Sequence, residues 1–187
     1  MKKLLFVLPV AALLCACELP FLKQEEKLPD PETEPDKVLK SVKINVDNNG
    51  LTTADSTEAI QKSLDIEGVS EKYTFEISAN CYNSPKYLGE WVLKSNAYLK
   101  SVSTYKVDRL VIDYMSKKGF GFEVLDADQN AVTAHDSSVQ TEFSKSEDYG
   151  KVAEYPINGT SWTINNTAGD KPGACLYSVT VIFSMDK

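Results

Sequence analysis

From residue 38 onward the chain alternates between apolar and polar positions. In KYTFEISA (72–79), Tyr73, Phe75 and Ile77 fall on one face and Lys72, Thr74 and Glu76 on the other. SVKINV (41–46) repeats the pattern with Val42, Ile44 and Val46, and GFGFEV (119–124) with Phe120, Phe122 and Val124. CLYSVTVIF (175–183) aligns Cys175, Tyr177, Val179, Val181 and Phe183. Successive side chains of a strand point to opposite faces, so a period of two marks strands with one face buried. RLVIDYM (109–115) is apolar on both faces and reads as a central strand. Clusters of turn-forming residues separate these runs: DNNG (47–50), SKKG (116–119), DADQN (126–130), NG (158–159) and AGDKPG (168–173). One stretch reads as a helix. In DSTEAIQKSL (55–64), Asp55 serves as N-cap, Glu58 follows three residues on, and Ile60 and Leu64 share a face. The pattern predicts one all-β domain over 38–187, an antiparallel β-sandwich with one short helix.

The N-terminus follows other rules. Lys2 and Lys3 precede LLFVLPVAALL (4–14), an apolar run of eleven. A spanning helix needs about 20 such residues, so the run reads as a signal peptide over 1–16. It ends in LCAC, with Leu14 three residues and small Ala16 one residue before Cys17. This resembles a bacterial lipoprotein lipobox. The resemblance implies that Cys17 is lipidated, that cleavage precedes it, and that Cys15 leaves with the leader. A frame on Cys15 would put bulky Leu14 at the cleavage point and fits less well; an ordinary secretory signal is the plainer alternative. Several acyl chains hold a protein on a bilayer far better than one, so the expected partner of Cys17 is membrane lipid.

Residues 17–37 form a linker. Four of the eight prolines lie in it, and seven acidic residues (Glu18, Glu25, Glu26, Asp30, Glu32, Glu34, Asp36) face three lysines. Such composition favours an extended, solvated tether. The cluster KQEEK soon after Cys17 resembles the surface-export signals of Bacteroidetes lipoproteins, which implies an outer-membrane protein with its domain facing the exterior. A plain flexible linker accounts for the same residues. Loss of Lys2 and Lys3 with the leader takes the formal charge from −7 to −9. That balance argues against nucleic acid as a partner.

Within the domain, YKVDRLVIDYMSKKGFGFEVLD (105–126) and SWTINNTAGDKPGACLYSVTVIFS (161–184) resemble the jelly-roll sandwiches of the galactose-binding-like superfamily in Bacteroidetes lipoproteins. The resemblance covers about a third of the chain and implies a jelly roll with glycan binding. It lies in core strands, and the DG…T.W segment of many members has no counterpart.

Candidate chemistry is sparse. The single histidine, His135, stands beside Asp136, and neighbouring Ser137 or Ser138 cannot complete a triad by adjacency. The shortage of Cys and His ligands argues against a metal site, and no cofactor is expected. DADQN begins like a calcium loop with Asp126, Asp128 and Asn130, but Ala131 and Ser137 occupy the positions that need glycine and glutamate. A hairpin turn explains it. Asp108 and Asp113, five apart on one strand, point to opposite faces and cannot flank one glycosidic bond. Strand parity places Cys81 and Cys175 inward. A disulfide between them would close a loop of about 95 residues, contributing ~4–5 kcal/mol on the chain-entropy model; two buried thiols are the alternative.

Sugars are bound by exposed aromatic platforms with polar companions. Trp91 is the first candidate, with Tyr82, Tyr87 and Tyr98 nearby and Asn80, Asn83 and Asn96 as hydrogen-bonding companions. Core packing is the competing account of Trp91, and Trp162, alternating with Ile164, reads as core. DST (55–57) resembles the O-glycosylation acceptor of exported Bacteroidetes proteins, which implies modification at Ser56; helix capping explains the same residues. The expectation is therefore a non-catalytic, membrane-anchored binding module for a glycan or polysaccharide. The alternative is a structural or adhesive component that binds another envelope protein.

Overall fold

The computed structural model describes residues 38–84, 90–116, 120–136, 150–169 and 173–185. Cys17, the leader and nearly all of the linker lie outside them, as do Tyr87, Ser137 and Ser138. The described strands form two antiparallel sheets. The first holds β1 (Val38–Asn45), β4 (Cys81–Ser84), β5 (Glu90–Leu93), β7 (Lys106–Met115), β9 (His135–Asp136), β10 (Gly150–Gly159) and β12 (Ala174–Met185). Its order is β4-β5-β12-β7-β10-β9, with β1 also paired to β12. The second holds β2 (Ile60–Asp65), β3 (Lys72–Ile77), β6 (Tyr98–Ser101), β8 (Phe122–Leu125) and β11 (Thr163–Asn166). Its order is β2-β3-β6-β11-β8. The central strand expected over 109–115 is β7, with β12 and β10 on its two sides.

The alternating stripes meet between the sheets. Val42, Ile44, Leu110, Ile112, Val179 and Val181 of the first sheet are buried in one cluster with Phe75, Ile77, Leu99 and Ile164 of the second. Tyr73 and Phe183 stack across the interface with ring centroids 5.4 Å apart. Each such side chain gains ~1.5–3 kcal/mol from leaving water, so this layer is what holds the two sheets face to face.

The helix expected over 55–64 does not form. Residues 60–65 are β2, paired with β3 so that Ile60 faces Ile77 and Leu64 faces Tyr73. A spacing of four satisfies a helical face and a strand face alike, and partner hydrophobes on β3 decide for the strand. Asp55 does not cap; its carboxylate pairs with Lys94 at 2.5 Å. Among the described residues there is no helix.

The face assigned to Cys175 and Tyr177 is also corrected. The pairing of β12 with β7 shifts register between Leu176 and Ser178. One extra residue reverses which side chains point inward. Leu176, Val179, Val181 and Phe183 therefore enter the core, while Cys175 and Tyr177 lie with Val92 and Met115 in a second buried cluster on the opposite side of the first sheet. Cys81 belongs to the main core. The two thiols thus sit on opposite faces of one sheet, and both are free. The disulfide does not exist because the bulge turns one partner away.

DADQN is a turn. The Asp126 carboxylate accepts from the amides of Asp128 and Asn130, both at 2.9 Å, and Asp126 N–H donates to the Asn130 carbonyl at 3.0 Å. His135 is exposed on the short edge strand β9. Asp108 pairs with Arg109 at 2.5 Å, whereas Asp113 is buried, so the two carboxylates share no site.

Candidate functional site

The aromatic residues singled out from sequence do not converge. Trp91 is fully buried in the core, at 0 % exposure; its parity on β5, with Leu93 on the same side, points it between the sheets. It cannot be a sugar platform. Tyr82 is half-buried on the outer side of the first sheet, with the Lys94 ammonium 5.3 Å from its ring centre. Tyr98 lies on the outer side of the second sheet. Asn96 is exposed in the turn before β6, with φ of 59°. Asn80 occupies a second left-handed turn position, at φ 65°. Asn83 is structural: its amide donates to the carbonyls of Leu51 (2.9 Å) and Val46 (3.2 Å), and its oxygen accepts from Asn49 at 2.8 Å. Ser56 is also spent internally. Its hydroxyl accepts from the Cys81 amide at 3.1 Å and donates to the Ser78 carbonyl at 3.4 Å. A glycan on that oxygen would break both contacts, so the geometry opposes modification there.

The outer side of the second sheet is a hydrogen-bonded polar surface. Glu76 accepts from Tyr98 Oη at 2.8 Å and from Gln61 at 3.0 Å, and pairs with Lys100 at 2.8 Å. Register explains the meeting, since Gln61, Glu76 and Lys100 are cross-strand neighbours on β2, β3 and β6. Hydrogen bonding from Lys100, then from Gln61 and Tyr98, holds the Glu76 carboxyl down at about 2. The network is self-satisfied, and Tyr98 is the lone described aromatic on this surface.

An aromatic pocket opens elsewhere, where the chain crosses from β7 to β8. Its walls are Tyr114, Phe120, Phe122 and Tyr155 with the backbone of Gly121, and its volume is about 140 Å³. Met115, Ser116 and Cys175 complete the lining. Phe122 stands edge-on to Tyr114 at 5.0 Å and tilted to Tyr155 at 6.0 Å, which fixes the rings against one another. Burial pushes the Tyr155 phenol up to about 12, with Tyr114 adding to it, so it stays a neutral donor and acceptor at ordinary pH. The segment is held by a bridge between Phe120 and Gly173 and by the Thr167 amide donating to the Gly121 carbonyl at 3.1 Å.

Sequence reading missed this pocket. Phe122 was legible as an apolar strand residue, and Tyr114 as part of an apolar run. Their meeting with Tyr155 depends on β10 pairing beside β7, a contact between segments some forty residues apart for which the chain carries no local signal.

Behind the pocket, Glu90, Asp113 and Cys175 are buried on the outer side of the first sheet, near Tyr177. Burial first, then the Glu90 carboxyl, raises the Cys175 thiol well above its usual range. A thiol held protonated is a poor nucleophile. Among the described residues no three His, Cys, Asp or Glu side chains gather as metal ligands.

No family model matches the chain, and no curated protein sequence matches it. Among solved structures it is similar to a cleaved adhesin domain of Lys-gingipain from Porphyromonas gingivalis, at 11% identity over 79% of this chain and 90% of that one, with a TM-score of 0.22. A likeness of that strength carries no argument about fold or function.

Proposed function

We propose that the chain is a lipid-anchored cell-envelope protein whose domain is a non-catalytic module for binding glycans. The observation that carries this reading is the aromatic pocket: four rings and neutral hydroxyls suit the mixed apolar and polar surface of a sugar. Strand order supports the jelly-roll form of the sandwich. From β5 to β8 successive strands alternate between sheets, and β5-β12-β7-β10 lies over β6-β11-β8. That interleaving of early and late strands is what a rolled-up hairpin produces. Anchoring through Cys17, a Bacteroidetes-type export route and an outward-facing domain rest on the lipobox and the acidic tether.

A glycan array or polysaccharide-affinity screen with the compact unit Pro35–Lys187 tests the binding. Loss of binding in Ser116→Trp, which fills the pocket mouth, supports the reading; binding retained in that variant moves the site elsewhere. For the anchor, Cys17→Ser should move the full chain from the membrane fraction to the soluble one.

The second reading, a component of a protein assembly, has its own observation. β2 ends the second sheet, with no further described strand beside it, and an open edge can accept another chain. If the glycan screen is silent, protein partners of that edge become the next search.

A further inference from the structure

The pocket has the capacity of one ring. An apolar cavity of about 150 Å³ holds a single benzene molecule, and the space between Tyr114, Phe122 and Tyr155 is about 140 Å³. Two adjoining sugars do not fit. Met115 and Cys175 are both buried, so the pocket is closed on their side and a polymer cannot thread through it. Binding along the length of a chain needs a row of aromatic faces. The described outer surfaces offer Tyr98 on one sheet and Tyr82 on the other, on opposite sides of the molecule, and neither extends the pocket.

Charge narrows the ligand further. None of the lining residues is ionic. The charged group closest to the lining thiol of Cys175 is the buried Glu90 carboxyl, with Asp113 also near Tyr177. An anionic ring would enter without a counter-ion and beside carboxylates, which disfavours it.

We infer that the pocket takes one uncharged six-membered ring at the end of a glycan chain, and not an internal stretch or a uronic acid. This rests on the glycan reading above. The Phe122 and Tyr155 rings cover the apolar faces of the bound ring, and the phenol of Tyr155 and the hydroxyl of Ser116 are available to its oxygens.

The test is titration of unit Pro35–Lys187, followed by calorimetry and by amide chemical shifts. The probes are methyl pyranosides of glucose, galactose and mannose, the matching methyl uronates, and neutral oligosaccharides of increasing length. The expected result is binding of at least one methyl pyranoside with an affinity that does not rise with chain length. No uronate binds, and binding is lost in Ser116→Trp while its melting temperature is kept. Affinity that climbs with chain length while every methyl pyranoside is silent overturns the chain-end inference and leaves the glycan reading standing. Uronates that bind as well as their neutral counterparts overturn the charge argument. Silence from every probe overturns both the inference and the reading beneath it.

Discussion

Trp162 donates its indole N–H to the phenol of Tyr73 at 3.0 Å, and the Tyr73 hydroxyl lies 2.9 Å from Ser101 Oγ. All three residues are buried. The contact joins β3, β6 and the segment before β11 in a core that is otherwise apolar. Burial pushes the Tyr73 phenol up to about 12, against the pull of its two partners. Trp91, the other buried tryptophan, has no hydrogen-bond partner for its indole nitrogen.

Tyr73→Phe should therefore destabilise the domain by ~1–3 kcal/mol, because it leaves the Trp162 donor unpaired in a dry core. Urea unfolding measures it through the midpoint at constant slope. Trp91→Phe removes volume but also an unpaired donor. Its loss should be smaller than that of Trp162→Phe, which breaks a made bond; the reverse ranking would refute this account of the core.

Both thiols should be silent in the folded domain. Burial pushes Cys81 up to about 12, and Cys175 is raised further, by burial first and Glu90 second. At pH 8, iodoacetamide should label neither in native Pro35–Lys187. In denaturant without reductant, thiol titration should recover both. Recovery of none would mean a disulfide and would sink the bulge-based assignment of faces.

Glu76 gives the stability a pH dependence of known sign. Its carboxyl sits at about 2 when folded, against 4.5 unperturbed. A depressed carboxylate contributes stability above its unfolded value, and that contribution is lost as pH falls toward the folded one. The melting temperature of the wild type should exceed that of Glu76→Gln at pH 6, and the gap should close between about pH 4.5 and 2. The pair is largely exposed, so added salt should narrow the gap as well. A gap that is flat with pH would remove Lys100 and Tyr98 as its cause.

Gly173 has φ of 89°, and a Cβ there would lie 2.7 Å from the Leu93 carbonyl oxygen. Gly173→Ala should cost ~1–3 kcal/mol through that contact and the left-handed backbone. Because Gly173 bridges Phe120 at the pocket wall, the variant should also disturb the amide signals of Phe120 and Gly121. Unchanged signals there would separate the pocket wall from this turn.

A period of two in the sequence was enough to mark β1, β3, β7 and most of β12 as strands, because alternation reflects a local rule of strand geometry. It also marked Tyr73, Phe75, Ile77, Val42 and Ile44 as core, since a half-buried strand has one apolar face. Short strands such as β5 carry no period: all four residues from Glu90 to Leu93 are buried, because covered faces on both sides erase the alternation. Tertiary pairing alone decided three things. β3 made a strand of 60–65, where a spacing of four fits helix and strand equally. The bulge at Tyr177 sent Cys175 away from Cys81, because one inserted residue inverts every face beyond it. Trp91 became core and Tyr155 became pocket wall through neighbours far along the chain. Which aromatic a domain buries and which it offers to a ligand depends on those long-range partners, and no local pattern in the sequence encodes them.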